Sequence, residues 1–189
     1  MARRVVTGVT DSGKPAIISD GEPPRSRKYT HTPGFANSLV WATTAPAAPG
    51  ADPTLAVTSY VPGPGETLAL TVTFPPAAVF AAPGFDPAAA RAEQLSAAPG
   101  FAELFEQDHP GMHTTPTVDY GVVLDGEIVL DLDGESTVLR PGDIVVQNGT
   151  RHAWRNPGTT PATVFFALIG TGDPQSARLL GLVHGLARM

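Results

Sequence analysis

Five glycine-centred turns crowd the stretch from residue 125 to residue 158: Asp125-Gly126, Asp133-Gly134, Pro141-Gly142, Asn148-Gly149 and Pro157-Gly158, spaced 7 to 9 residues apart. Such spacing leaves room for short strands and for no helix of ordinary length. The residues between the turns are rich in Val, Ile and Leu, and with their flanks they predict strands at Val118–Leu124, Glu127–Leu132, Ser136–Leu139, Asp143–Gln147, Ala153–Asn156 and Ala162–Ile169. Strands joined by tight turns run antiparallel, so this half of the chain is predicted to form an antiparallel sandwich or barrel.

The preceding half reads more loosely. Arg4–Val9 and Pro15–Ser19 flank Asp11-Ser12-Gly13 and predict a hairpin; a polar segment from Asp20 to Thr32 leads to a strand at Ser38–Thr43. The Ala-, Pro- and Gly-rich stretch Thr44–Pro53 predicts a surface loop. Thr54–Val61 and Glu66–Phe74 predict a second hairpin, closed by Pro62-Gly63-Pro64-Gly65. Asp86-Pro87 has the chemistry of an N-cap followed by a first helical residue, so a helix is predicted from there to about Ala97, with a second short one over Phe101–Gln107. Asp173-Pro174 opens a predicted C-terminal helix on which His184 reads as a packing or surface residue. The chain is expected to be a single domain, 1–189, with N-terminal strands and loops in 1–74, a helical insert in 75–110, a barrel core in 111–170 and a C-terminal helix in 173–189.

Composition excludes several chemistries. With no cysteine there are no disulfides, thiolate metal sites, iron–sulfur clusters or cysteine nucleophiles, so a metal would need imidazole and oxygen ligands. Twelve basic against 18 acidic residues give a net charge of -6, and the scattered Lys and Arg argue against a nucleic-acid partner. The longest apolar run, Ala162 to Ile169, is far too short to span a bilayer. No membrane partner is expected, and the expected location is the cytoplasm.

Two blocks carry the chemistry: His113-Thr-Thr-Pro-Thr-Val-Asp119-Tyr-Gly-Val-Val-Leu-Asp-Gly126, and Pro141-Gly142-Asp143-Ile-Val-Val-Gln147-Asn-Gly149-Thr-Arg-His152-Ala-Trp-Arg-Asn156. They resemble the two motifs of the cupin superfamily. His113 stands at the first histidine of that family's first motif, Thr115 where its second histidine belongs, Asp119 in place of its glutamate; Gly142, Gly149, His152 and Asn156 follow the second motif, with Gln147 in place of a proline. The resemblance implies an all-β fold, an antiparallel cupin or jelly-roll-type barrel with an N-terminal strand extension, the small helical insert and the C-terminal helix.

On a straight strand, residues 113 and 119 would lie roughly 20 Å apart, so meeting at one point requires a bend, and Thr115-Pro116-Thr117 is the expected place for it. With that bend His113, Asp119 and His152 become a candidate set of metal ligands, the two imidazoles and one carboxylate of a facial triad suited to Fe, Zn or Mn. No nucleotide or organic cofactor is indicated. His113 and His152 are also the candidate catalytic residues, and Thr115, Gln147, Trp154 and Phe105 the candidate substrate-binding residues. Tyr120, Arg151 and Arg155 have the strand parity of outward-facing residues, and Asn156 is expected to lock a barrel turn by hydrogen bonding. The rings Phe80, Phe85, Phe101 and Phe105 are candidates for a pocket lid or for packing on the outside of the sheet.

The resemblance implies a small-molecule enzyme, metal-dependent and acting on a small oxygenated organic substrate with dioxygenase-like or lyase-like chemistry. A metal-free dehydratase, cyclase or isomerase using histidine as general base stays open beside it, as does a non-catalytic ligand-binding protein. A homodimer is the expected assembly.

Overall fold

The structure is a computed structural model that describes residues 2–172; the expected C-terminal helix and His184 lie outside the described residues. Its strands are β1 (Arg4–Val9), β2 (Pro15–Gly21), β3 (Arg25–Lys28), β4 (Ala36–Thr43), β5 (Thr67–Phe74), β6 (Thr117–Asp125), β7 (Ile128–Asp131), β8 (Ser136–Leu139), β9 (Ile144–Asn148), β10 (Ala153–Arg155) and β11 (Ala162–Gly170), with one α-helix, α1 (Pro87–Ala97). Among the described residues six strands form a large sheet in the order β3-β4-β5-β11-β6-β9, three form a smaller one in the order β10-β7-β8, and β1 and β2 form a two-stranded sheet. Every pairing is antiparallel. This is the all-β antiparallel architecture expected, with β3 and β4 as the strand extension of the large sheet.

The core lies between the two sheets. Along β11 burial alternates, so that Val164, Phe166 and Leu168 point inward, where they meet Leu39, Leu68, Leu70, Val123 and Ile128. Each of these aliphatic or aromatic side chains contributes about 1.5–3 kcal/mol on leaving water. Because side-chain direction alternates, a slip of one residue in β11 would expose this row, and the core thereby fixes the register in which β6 runs beside β11.

Two turns show why glycine is needed. Gly126 sits at φ 73 between β6 and β7, and a side chain there would press on Ala162. Gly170 ends β11 against the 62–66 turn: its N–H donates to the Glu66 carbonyl, its own carbonyl accepts from Gly65, and a Cβ at this position would collide with the Gly63 carbonyl. Asn156, read from sequence as a turn lock, does that work: its amide donates to the carbonyls of Phe74 and Thr160, and its oxygen accepts from Gly158 N.

Helix α1 starts where its cap chemistry dictates, with Asp86 Oδ1 accepting from the N–H groups of Ala88 and Ala89 and Pro87 in the first turn. Glu93 then fastens the helix to the β3–β4 turn, its carboxylate accepting from the backbone N–H of Thr30 and of His31 at 2.9 and 2.7 Å.

Three expectations need correction. The hairpin of Thr54–Val61 with Glu66–Phe74 does not form: Thr54–Ala56 is a 3-10 turn, and β5 lies between β4 and β11, so neither of its edges is free. Arg25 instead takes the Thr54 and Val57 carbonyls with its guanidinium, and Asp52 holds Thr54 N and its hydroxyl, so this segment's polar groups are satisfied without a ladder. The polar stretch Asp20–Thr32 contains a strand, β3, which the sequence pattern does not show because it is a sheet edge of four residues, Arg-Ser-Arg-Lys, rather than an apolar alternation. The second helix over Phe101–Gln107 shrinks to a 3-10 turn at Ala102–Leu104, since Phe105 is extended.

Gly170→Ala is expected to lose at least about 3 kcal/mol in denaturant unfolding, because backbone must move to admit the methyl. Gly134→Ala, at φ 82 but in open space, should lose only about 1 kcal/mol. Equal losses for the two would mean that the Gly170–Gly63 approach is absent.

Candidate active site

The site is built on one pair of residues. His113 and His152 face each other as an isolated antiparallel bridge, with His113 N donating to the His152 carbonyl and His152 N to the His113 carbonyl, both at 3.0 Å. Directly opposed residues on neighbouring strands present side chains on the same face. The two imidazoles accordingly lie with centroids 4.3 Å apart and planes at 49°.

Each ring is anchored in the same way. His113 Nδ1 lies 3.0 Å from the Gly111 carbonyl and His152 Nδ1 2.9 Å from the Thr150 carbonyl, in both cases the residue two before it. A carbonyl oxygen only accepts, so the neutral ring must carry its proton on Nδ1 and leave the Nε2 lone pair unprotonated. Both rings are buried, 4% and 3% exposed. Burial drives the His113 pKa down to about 4, with the neighbouring His152 adding to the effect, and burial likewise lowers that of His152. The pair is therefore two neutral imidazoles with free Nε2 atoms.

Apolar rings surround it. Phe101 and Phe105 pack on His113 with centroids at 5.1 and 4.7 Å, and Trp154 stands edge-on to His152 at 6.0 Å. Trp154 also packs on Phe166 at 5.3 Å, so the site is continuous with the core. Two of the four candidate lid rings thus wall the site, whereas Phe80 and Phe85 pack on each other at 5.4 Å, with Phe80 half exposed.

The other expected residues form a second group. Pro116 hands the chain from the His152 bridge to the large sheet, where its carbonyl accepts from Thr171 N and Oγ1, and β6 begins at Thr117. Asp119 therefore stands between Gln147 on β9 and Leu168 on β11. The Thr117 hydroxyl donates to that of Thr115 at 2.8 Å. Gln147, buried, turns its amide to the Thr150 carbonyl and hydroxyl and closes the β9–β10 turn.

Among the described residues no group of three His, Cys, Asp or Glu side chains is placed to hold a metal. Of the set His113, Asp119 and His152, the structure brings the two imidazoles together, and Asp119 stands on β6. Asp119 is 6% exposed, and its Oδ1 has no hydrogen-bond partner among the described atoms. Burial raises its pKa to about 6 against the bond from Thr117, which lowers it.

Parity reasoning placed Tyr120 and Arg155 correctly, and both are about half exposed. It missed what Arg151 does there. Arg151 Nε and Nη2 each donate to the Glu106 carboxylate at 2.6 Å, and Nη1 also pairs with Asp133. The carbonyl anchors at Gly111 and Thr150 were also missed, since a backbone acceptor has no sequence signature beyond its distance of two residues.

A two-sheet antiparallel fold around a buried histidine pair defines a class, and comparison with known proteins names it. Residues 101–168 match the family model of the cupin domain. It is 51% identical over 78 residues to "Phomopsin biosynthesis cluster protein C'" of Diaporthe leptostromiformis, a match spanning 40% of this chain and 41% of that protein. It is 42% identical over 66 residues to "Cupin-domain-containing oxidoreductase fogC" of Aspergillus ruber, spanning 33% of this chain and 32% of the relative. Among solved structures it is similar to a putative ethanolamine utilization protein of Salmonella typhimurium, with 10% identity, a TM-score of 0.42 and coverage of 91% of this chain and 98% of that one. No helix among the described residues is long and apolar enough to cross a membrane.

The perturbed groups act on stability in opposite directions. Between about pH 6.5 and 4 the unfolded chain binds protons that buried His113 refuses, so its contribution is lost as the pH falls. Asp119 binds its proton more tightly when folded, so its contribution is lost as the pH rises from about 4 through about 6. Asp119→Asn is expected to raise unfolding stability at pH 8 by roughly 2 kcal/mol and by nothing at pH 4. An equal change at both pH values would show that the carboxylate is not held buried and unpaired.

Proposed function

We propose that this chain is a cupin-type enzyme that moves a proton on a small, oxygenated, largely apolar molecule, as a dehydratase, cyclase or isomerase does. The observation that carries the reading is the pair of neutral imidazoles whose Nδ1–H groups are committed to backbone carbonyls. One Nε2 is then free to take a proton from carbon beside a carbonyl group, and the second lies close enough to hold or return one. Each transfer is balanced: the proton leaving carbon becomes the Nε2 proton of an imidazolium and goes back to the product or to solvent. Phe101, Phe105 and Trp154 supply an apolar wall that would orient such a substrate and exclude water.

A second reading has an observation of its own. The names of several relatives include "oxidoreductase", and a divalent metal taking His113 and His152 through Nε2 would supply Lewis-acid or redox chemistry. Elemental analysis of protein purified without chelator separates the two.

Proton transfer can be tested without knowing the final product. A panel of small aromatic and alicyclic carbonyl compounds is incubated in deuterated water with chelator-treated protein, and deuterium uptake at carbon is read by mass spectrometry. Catalysed exchange is expected for at least one compound, with His113→Asn and His152→Asn each lowering it by about a hundredfold or more. Exchange should persist well below pH 6.5 and fail only toward pH 4, because the base must be neutral and burial holds His113 neutral to that point. Exchange that needs added metal, or that survives both substitutions, would contradict the proposal.

A further inference from the structure

The histidine pair is chemically ready but closed. With His113 and His152 almost fully buried, no molecule reaches either Nε2 in this conformation unless something moves. The depression beside Thr71 and Thr163 and the one beside Glu93 both lie elsewhere on the surface.

The covering segment is residues 101–109, whose Phe101 and Phe105 pack on His113 and, edge-on at 5.4 Å, on each other. It is bounded by Pro99-Gly100 and Pro110-Gly111, and both glycines occupy the left-handed region, at φ 83 and 88. Within it the regular structure is one 3-10 turn, and the exposed residues 107–110 add no buried anchor. One strong polar tie joins the segment to the strand that carries His152. Arg151, the residue just before that histidine, grips both carboxylate oxygens of Glu106 in a two-pronged ion pair. Asp133, on the turn between β7 and β8, pairs with the third nitrogen of the same guanidinium, which keeps the cation in place when Glu106 leaves.

We propose that Arg151 and Glu106 form a latch that holds residues 101–109 as a lid, and that a ligand reaches the histidine pair only when this ion pair opens. The inference rests on reading the pair as the site. A planar guanidinium with two parallel bonds suits the task, since the pair is geometrically specific yet a third exposed, so solvent competes for it and keeps opening accessible. The flanking glycines absorb the backbone rotation that lifts both rings together.

The rate at which diethyl pyrocarbonate carbethoxylates each histidine at pH 7, followed by peptide mass spectrometry, reads access to Nε2 without reference to turnover. The latch can therefore fail while the proton-transfer proposal stands, and the reverse. In the unsubstituted protein His113 and His152 should react far more slowly than exposed His31 and His109. Glu106→Gln, which keeps size and shape, and Arg151→Met should each speed both buried histidines about fivefold or more. Asp131→Asn, which removes the Arg155–Asp131 pair, an ion pair that involves no residue of 101–109, should leave the rates unchanged. Circular dichroism confirms the fold of each variant, and Glu106→Gln alone decides if Arg151→Met does not fold. Unchanged rates in Glu106→Gln, equal acceleration by Asp131→Asn, or reaction of His113 and His152 as fast as His31 before any substitution would each overturn the latch.

Discussion

The reciprocal backbone hydrogen bonds between His113 and His152 organise everything that follows from this fold. They join a segment approaching the large sheet to the end of the small one, and so fix two imidazoles on one face. In each segment the carbonyl two residues before the histidine lies at Nδ1. From that single constraint come the tautomer, the free Nε2 atoms and the contact between the rings. Burial then holds both rings neutral, and a neutral imidazole is the form that accepts a proton or a metal.

The cost of this arrangement is spread over the neighbourhood. Asp119 sits inside the same two-sheet interior with one carboxylate oxygen unpartnered, a feature that core packing alone would not retain. Its raised pKa and the lowered pKa of His113 pull stability in opposite directions with pH, so the domain carries strain of one sign in acid and of the other near neutrality.

How much was legible in the sequence depends on the kind of signal. The turn glycines after residue 117 were read directly, because positive φ and tight spacing are written in residue type, and the strands between them follow to within about a residue or two. Asp86-Pro87 was equally plain, since a cap is local chemistry. The segment from Thr54 to Val61 was not, because its carbonyls are claimed by Arg25, almost thirty residues or more earlier in the chain, and no local pattern reports that. At the site, His113 and His152 were found by type and spacing. Asp119 is assigned to them on the same ground, and the chain that leaves Pro116 carries it on β6 of the large sheet. The Arg151–Glu106 tie escaped because strand parity treats an outward arginine as solvated, and a lid that folds back over the strand changes what outward means.

The central claim is that two buried imidazoles are held neutral with the proton on Nδ1. Long-range nitrogen–proton correlation spectra of the protein labelled with nitrogen-15 in histidine report ring protonation and tautomer for each residue. At pH 7 the account predicts that His113 and His152 both show a protonated Nδ1 and a bare Nε2. A protonated Nε2 on both rings, or an imidazolium at either at that pH, would contradict it.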